Sequence, residues 1–289
     1  MWLETIVVDG SFDFDYALSR FAFDPLLVLS VEERWVHIPM SVKGEKHVVK
    51  LQATGTTNSP AFIIQSESFE RKEDILRRVK AIFQWEKDLE TIHSHFEKTN
   101  LAHLFQKYPG TPVVKDFGLY EALVKTIIHQ QLNMRFAYTL STRFVQLLGE
   151  EKDGSWFYPT PEKVASINYE ELRELQFSQR KAEYVIDTSR LIASGELNLE
   201  KLAEQPDEQV IEKLTKIRGV GTWTAENWLL FGLGRENLLP AADIGIQNGL
   251  KKYLNMDAKP KKEEIYEMGE QWSPFRSYAS LTIWRSTEG

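Results

Sequence analysis

The hydrophobic pattern of this 289-residue chain changes its period near residue 70, and that change limits the possible folds more than any other feature. Before it, apolar residues cluster or partly alternate in short runs typical of strands. These runs lie at 5–8, 26–40, 47–54 and 61–66. A short helix opening at Ser11 brings Phe14, Leu18 and Phe21 to one side, where they can cover a sheet face. The first part therefore predicts an antiparallel sheet.

After Phe69, apolar residues recur every three or four positions, which indicates helices. One helix, or two broken near Trp85, follows first, and another begins at Tyr120. Asn133 can cap a helix over 134–148, with Gly149 just past its end. We predict an α+β chain with an N-terminal sheet domain, flanked by helices, at 1–90. A helical domain at 91–289 follows, with a hairpin at 209–233.

Composition and charge exclude several kinds of site. The chain has no cysteine, so it has no disulfide, thiol nucleophile or thiolate metal site. Its formal net charge of -7 argues against binding nucleic acid through a generally basic surface, so any DNA contact must be local. The histidines are too scattered to suggest a metal site, and there is no P-loop or GxGxxG run. We expect no metal.

Two helical stripes meet at Gly219-Val-Gly221, and this junction predicts a tight helix-hairpin-helix. The stripes run over 209–217 and 222–233. Both glycines can take positive φ and allow another backbone to approach closely. The amides that open the second helix lack intrahelical acceptors and form a site suited to phosphate. A plain αα-hairpin, in which the glycines only serve the turn, fits the same residues.

The downstream residues extend this pattern into a family resemblance. IRGVGTWTA at 217–225 is followed by LLPAADIGIQNGL at 238–250, and LYEALVKTIIHQQ at 119–131 precedes both. With FDFDYALSRF at 12–21 and WSPFRSYA at 272–279, they resemble the helix-hairpin-helix (HhH-GPD) DNA glycosylase superfamily, specifically its AlkA-type DNA-3-methyladenine glycosylase II branch. The resemblance covers nearly the whole chain. It implies a TBP-like N-terminal antiparallel sheet followed by an all-α helix-hairpin-helix glycosylase domain.

The resemblance implies an enzyme that flips alkylated purines out of duplex DNA and hydrolyses their N-glycosidic bonds, as in base excision repair. Asp243 matches the family's catalytic aspartate. An alkylated purine leaves as a neutral base, so one carboxylate can suffice to stabilise the oxocarbenium-like sugar and orient water. Asp243 is also well placed to cap a helix over 244–254, and the two roles are compatible.

The resemblance also implies the residues around that aspartate. Trp223, Trp284 and Trp228 would form the base pocket, where a cationic base can stack on an aromatic face. Gln131, with Leu132 beside it, would fill the gap left by the flipped nucleotide. No cofactor is expected, although carbonyls around Ile217 and Gly219 suit a monovalent cation. The hairpin residues expected at the DNA backbone are Gly219, Val220, Gly221, Thr222 and Thr224.

The residue at position 223 bears on whether the protein can also cleave the DNA strand. Members of the superfamily that also cleave the strand read GxGxKTA, and their lysine forms a Schiff base with the sugar. This chain reads GVGTWTA, so Trp223 replaces that amine and we expect no lyase activity. The chain departs from the family pattern at Arg218, where proline is usual, at His129, where glycine is common, and at Asn227, which is aromatic in the type enzyme.

Two alternatives stay open: an oxidised-purine glycosylase with lyase action, and a non-catalytic helix-hairpin-helix DNA-binding module. The lysine missing at Trp223 counts against the first, and Asp243, a carboxylate that would repel DNA, counts against the second. The N-terminus lacks a signal-peptide pattern, and no apolar stretch approaches ~18 residues. We expect a cytoplasmic monomer that acts on damaged double-stranded DNA of the nucleoid and does not bind membranes.

Overall fold

An antiparallel sheet forms the N-terminal part of the computed structural model, which describes residues 1–287. The strands are β1 (Trp2–Val7), β2 (Leu29–Ser30), β3 (Trp35–Val42), β4 (Glu45–Ala53) and β5 (Ala61–Ser66). Their order in the sheet is β1-β5-β4-β3-β2. The predicted sheet is confirmed, but the apolar run at 26–40 is not one strand. It contains a turn with Arg34 at φ 57, which separates β2 from β3.

Two helices cover the inner face of this sheet. Helix α1 (Phe14–Phe21) packs Phe14 and Leu18 against the sheet, and both side chains are buried, as the amphipathic pattern predicts. Helix α2 (Lys72–Phe83) adds Ile75, Val79 and Phe83 to the same core. This helix ends at Gln84, which adopts a left-handed conformation, so the helical pattern is broken near Trp85 as one of the two alternatives predicts.

Helices dominate the rest of the chain. They are α3 (Leu89–Phe96), α4 (Ala102–Lys107), α5 (Leu119–His129), α6 (Met134–Leu148), α7 (Pro161–Ala165), α8 (Tyr169–Glu174), α9 (Gln179–Ala193), α10 (Leu199–Ala203), α11 (Asp207–Thr215), α12 (Thr222–Asn227), α13 (Ile244–Tyr253), α14 (Lys262–Gly269) and α15 (Arg276–Arg285). A π-helical segment, Trp228–Leu233, continues α12, and a 3-10 turn, Glu270–Trp272, follows α14. The predicted cap at Asn133 is confirmed, because its side chain accepts from the Phe136 amide.

Two details correct the predicted helical part. It is not all-α, because strands β6 (Glu150–Lys152) and β7 (Ser155–Phe157) form a short hairpin after α6. The second hairpin helix is not one α-helix over 222–233, because its hydrogen bonding changes to the π pattern at Trp228.

The buried side chains form two apolar cores. One lies between the sheet and its two helices, and the other lies among the later helices. Phe117, which comes after the sheet between α4 and α5, joins the sheet-side core, whereas Leu26, which comes just before β2, joins the helical core. The boundary near residue 90 stays a prediction. Within residues 1–287, no helix is both long and apolar enough to span a membrane.

Candidate active site

A cleft of about 1450 Å³ brings together most of the residues singled out from the sequence. Its walls come from α1, α5, the loop after α5, the hairpin and the start of α13. Its lining includes Asp243, Trp223, Trp284, Gln131, Leu132, Gly219, Val220, Gly221 and Thr224. Thr222 and Trp228 do not line it.

Asp243 is half-buried at the N-terminus of α13, and its two carboxylate oxygens have different surroundings. Oδ1 accepts the backbone amides of Gly245 (2.8 Å) and Ile246 (3.1 Å), and thereby caps the helix. The same oxygen accepts the indole N–H of Trp284 at 2.8 Å. Oδ2 has only a long contact, 3.4 Å, from the indole N–H of Trp223. The cap and Trp284 therefore hold the carboxylate through one oxygen, and the other oxygen lies on the side of Trp223.

Both tryptophans at Asp243 are partly buried cleft residues, and a third aromatic ring supports them. Phe231 lies against Trp284 with ring centroids 6.2 Å apart and an interplanar angle of 23°. The guanidinium of Arg20, from α1, lies 5.0 Å from the Phe231 centroid. Phe231 and Arg20 were not among the predicted site residues. Arg20 lies in the 12–21 motif and Phe231 lies in the second hairpin helix, but neither pattern marks its residue as part of the site, and tertiary packing brings them here.

The placement of Trp228 in the base pocket is wrong. Its side chain is fully buried in the helical core, and its indole N–H donates to the Leu119 carbonyl at 2.9 Å. Trp228 lies five residues after Trp223, and at ~100° per residue this puts it on nearly the opposite side of the helix. Asn227, four residues after Trp223, is the neighbour that lines the cleft.

The hairpin glycines differ in conformation. Gly219 has φ 88, as expected for a glycine in a tight turn. A Cβ at this position would lie 2.1 Å from the Tyr184 ring, so the turn also needs the absence of a side chain. Gly221 has φ -97, so the prediction of a positive φ is wrong there. Gly221 and Thr222 are exposed at the start of α12, where first-turn amides lack intrahelical acceptors.

Two of the five predicted DNA-backbone residues are turned inward. Val220 is 4% exposed, and its amide donates to the Ile217 carbonyl at 3.0 Å. Thr224 is 1% exposed, and its hydroxyl accepts a hydrogen bond from Gln130 at 2.7 Å. Their side chains stabilise the hairpin from inside, so direct contact of these side chains with a phosphate is not possible in this conformation.

The loop between α5 and α6 places Gln131 at an exposed tip with φ 56. Leu132 is half-buried beside it, packed against the helical core. The preceding residue, Gln130, was missed: its amide donates to the Gly219 carbonyl (2.8 Å) as well as to Thr224. Lys181 donates to three carbonyls at the end of α5, including that of Gln130. These contacts tie the loop to the hairpin and to α9.

The three departures from the family pattern each make contacts within the chain. Arg218 pairs with Glu183 at 2.6 Å and lies over the Tyr184 ring. The Asn227 amide donates to the Trp223 carbonyl at 2.8 Å. His129 is hydrogen-bonded to Ser141 at 2.8 Å, and burial lowers its pKa to about 3, which keeps it neutral at physiological pH.

The carbonyls suggested for a cation are already partly engaged. The Ile217 oxygen accepts the Val220 amide, and the Gly219 oxygen accepts the Gln130 side chain. Each carbonyl retains a second lone pair, so a monovalent cation fits the donor chemistry and stays a prediction. In the described part of the chain, no cluster of three or more His, Cys, Asp or Glu side chains could hold a metal ion.

Comparison with known proteins gives consistent matches. Residues 124–274 match the family described as HhH-GPD superfamily base excision DNA repair protein. A Bacillus subtilis (strain 168) protein described as "Putative DNA-3-methyladenine glycosylase YfjP" is 47% identical over 100% of both chains. A DNA-3-methyladenine glycosylase of the same organism is 33% identical over 220 residues, which cover 74% of this chain and 73% of that protein.

Two solved structures extend the similarity to the fold. A 3-methyladenine DNA-glycosylase from Archaeoglobus fulgidus superposes with a TM-score of 0.86 at 22% identity, covering 100% of this chain and 98% of that one. The Schizosaccharomyces pombe 3-methyladenine DNA glycosylase Mag1, in complex with abasic DNA, has a TM-score of 0.61 at 27% identity, covering 69% and 97%.

Proposed function

Because the chain belongs to the HhH-GPD superfamily of base excision DNA repair proteins, we propose that it is a monofunctional glycosylase for alkylated purines in duplex DNA. The proposed substrates are of the 3-methyladenine and 7-methylguanine type, and the names of the relatives support the first of these. The observation that carries the proposal is the Asp243 carboxylate, held by a helix N-terminus and two indole N–H groups at the cleft.

The proposed chemistry needs few groups. The flipped, cationic base stacks on the tryptophan faces, where a cation–π contact contributes about 0.5 to 2 kcal/mol. As the N-glycosidic bond breaks, its electrons leave with the base and positive charge develops on the sugar. The Asp243 carboxylate stabilises that charge and orients the attacking water. Water supplies the new hydroxyl on the sugar, and its remaining proton passes to Asp243 or solvent.

A direct test is to incubate the protein with methylated duplex DNA and identify the released bases by chromatography. Release of 3-methyladenine or 7-methylguanine is expected, with no release by heat-denatured protein. Release of 8-oxoguanine from a matched oxidised duplex, with strand cleavage, would instead support the oxidised-purine alternative. Tight DNA binding with no base released would support the non-catalytic module.

Gln131→Ala is expected to weaken binding to an abasic duplex by about 1 to 2 kcal/mol, because the vacated position in the base stack loses its filler. Gln131 is exposed at the loop tip, so we expect this substitution to change the stability of the fold little. Fluorescence anisotropy with an abasic duplex measures the affinity. Gln146→Ala, which changes an exposed glutamine of α6 outside the cleft lining, is the control. Equal affinity of Gln131→Ala and the unchanged protein would exclude the wedge role.

Borohydride is expected not to trap the protein on abasic DNA, and no strand break should appear without alkali. Trp223 occupies the position of the amine, and Lys251 and Lys252 lie at the far end of α13 from Asp243. Four other lysines line the cleft: Lys115, Lys125, Lys181 and Lys216. Denaturing gel electrophoresis, with an amine-dependent lyase run in parallel, detects both adduct and nick.

Three of the four cleft lysines are engaged with other groups, which supports this expectation. Lys125 is ion-paired with Asp116, Lys181 donates to three backbone carbonyls, and Lys216 pairs with Glu212 at 2.7 Å. Lys115 is different: burial, together with the charges of Arg78 and Lys87, lowers its pKa and favours the neutral amine, so it is the cleft lysine to examine first if an adduct forms. A covalent adduct would contradict the monofunctional proposal, and peptide mapping would identify the lysine.

The proposed setting is the cytoplasm, with damaged double-stranded DNA of the nucleoid as the partner and no membrane. We propose that the protein acts as a monomer. Analytical ultracentrifugation with and without an abasic duplex tests the one-to-one complex.

A further inference from the structure

Lys181 of α9 makes three hydrogen bonds that the proposed chemistry does not use. Its ammonium donates to three carbonyls at the end of α5, those of Ile127 (3.0 Å), Ile128 (2.7 Å) and Gln130 (3.0 Å). An ammonium has three N–H donors, so these three backbone oxygens engage all of them and leave none for a phosphate. Lys181 therefore lines the cleft as a residue that is bound to the protein itself.

The position of Lys181 has an electrostatic cost. The residue lies in the first turn of α9, after the N-cap Ser178, where the dipole of its own helix disfavours a cation. Partial burial lowers its pKa to about 8, and within residues 1–287 no carboxylate forms an ion pair with it. The last carbonyls of α5 lack intrahelical donors and carry partial negative charge, so they stabilise the ammonium. Lys181 and the end of α5 thus satisfy each other.

The carbonyls bound by Lys181 lead directly into the tip of the loop between α5 and α6. Helix α5 ends at His129, Gln130 has an extended ψ of 130, and Gln131 follows with φ 56. A residue other than glycine is strained in this left-handed region, and such a conformation persists only where neighbouring contacts impose it. The Gln130 carbonyl and the Gln131 nitrogen belong to one planar peptide unit. Lys181 therefore fixes the peptide unit that enters the tip.

Other contacts fix the two flanks of the tip. The Gln130 side chain donates to the Gly219 carbonyl at 2.8 Å and to the Thr224 hydroxyl at 2.7 Å. Leu132, on the other side of the tip, packs against the helical core. None of these contacts involves the Gln130 carbonyl. The orientation of the peptide unit between Gln130 and the tip residue thus depends on Lys181.

We propose that Lys181 is a positioning residue for the loop tip: through the last carbonyls of α5, it holds Gln131 in the conformation that enters the base stack of DNA. This inference rests on the proposed function, because it needs Gln131 to fill the place of a flipped nucleotide. Lys181 then contributes to DNA affinity without contacting DNA. Direct contact of Lys181 with a phosphate is the alternative that the test must separate from this role.

The test is a double-mutant cycle on the affinity for an abasic duplex, measured by fluorescence anisotropy. It uses Lys181→Met, Gln131→Ala and the variant that carries both changes. We expect Lys181→Met to weaken binding about tenfold, within the ~5- to 30-fold loss that corresponds to about 1 to 2 kcal/mol for Gln131→Ala. In the Gln131→Ala background, Lys181→Met should weaken binding by no more than ~twofold, because two residues that act through one contact are not additive.

The dependence of binding on salt separates the positioning role from a phosphate contact. One phosphate contact contributes ~1 to the slope of log affinity against log salt concentration, so its loss would reduce the slope by that amount. We expect Lys181→Met to leave the slope unchanged. A reduced slope, or fully additive losses of affinity in the cycle, would overturn the inference and assign Lys181 a role of its own at the DNA.

Lys152→Met is the matched control. Lys152 is exposed outside the cleft lining, and its ammonium also donates to a backbone carbonyl, that of Lys46, at 2.7 Å. The variant removes the same charge and should keep its affinity. In the free protein, amide hydrogen exchange of a peptide spanning 128–134 should be faster in Lys181→Met and unchanged in Lys152→Met. Unchanged exchange in Lys181→Met would contradict the positioning role.

Thermal unfolding shows whether each variant is folded. If Lys181→Met does not fold, Lys181→Gln, whose amide keeps two N–H donors, replaces it in the cycle with the same expectation of non-additive losses. Equal affinity of Gln131→Ala and the unchanged protein would overturn this inference, because the tip would then have no role in binding. Release of methylated bases tests the glycosylase proposal separately, so the failure of one proposal can be told from the failure of the other.

Discussion

Asp243→Asn is expected to lower the rate of base release by at least ~10³-fold, because it removes the negative charge that stabilises the developing cationic sugar. The helix cap should survive, since Asn caps as well as Asp and its oxygen can still accept the amides of Gly245 and Ile246. The amide nitrogen would replace Oδ2, whose contact with Trp223 is already long. Folding and abasic-DNA affinity should therefore change little.

Single-turnover release of 7-methylguanine, with enzyme in excess over DNA, measures this loss. The matched control is Asp88→Asn, because Asp88 caps α3 through the same pair of backbone contacts and does not line the cleft. The control should keep its rate. If Asp243→Asn also kept its rate, the carboxylate would be a helix cap only, and another group would have to stabilise the sugar.

Gly219→Ala is expected to destabilise the protein by about 2–4 kcal/mol, because a side chain here combines backbone strain with a steric clash. The backbone has φ 88, and a Cβ would lie 2.1 Å from the Tyr184 ring. The hairpin must shift to relieve this overlap. Since Gln130 binds the Gly219 carbonyl, the shift would also displace the loop that carries Gln131. We expect affinity for an abasic duplex to fall at least tenfold.

Gly221→Ala is the matched control for this change. It adds the same methyl group two residues away, where φ is -97 and no atom lies within 4 Å of the new Cβ. Urea unfolding should show little change for this variant, which makes it a control for stability. Loss of abasic-duplex affinity in Gly221→Ala without loss of stability would mean that DNA itself approaches this glycine. No effect of Gly219→Ala would contradict the geometry of the turn.

Together, the Asp243 and Gly219 variants separate the chemical step from DNA binding and stability at the hairpin. Trp223 and Asp243 meet on one side of the hairpin, and Gln130 joins the hairpin to the loop of Gln131 on the other. Loss of charge at Asp243 should affect the chemical step alone. The shift of the hairpin in Gly219→Ala should affect DNA binding and stability more than the chemical step.

Much of the architecture could be predicted from the sequence, because local physics determines it. The change from short apolar runs to a helical period separates the sheet from the helices, and Asn133 begins α6 where its side chain can accept an amide. Two features of the sequence pointed to Asp243: its position before a predicted helix and the family pattern around it. The cap is confirmed, whereas its catalytic role is a prediction for the experiments above.

The composition of the cleft depended on tertiary structure. Trp228 and Thr224 belong to the same motif as Trp223, yet their positions around the helix turn them into the core. Gln130 reaches Gly219 across 89 residues of sequence, and Phe231 reaches Trp284 from another helix. Lys125 and Asp116, nine residues apart in sequence, form a largely buried ion pair that only the packing brings about. A local pattern determines which element a residue joins, but side-chain direction and distant partners depend on how whole elements pack, which no short window of sequence contains.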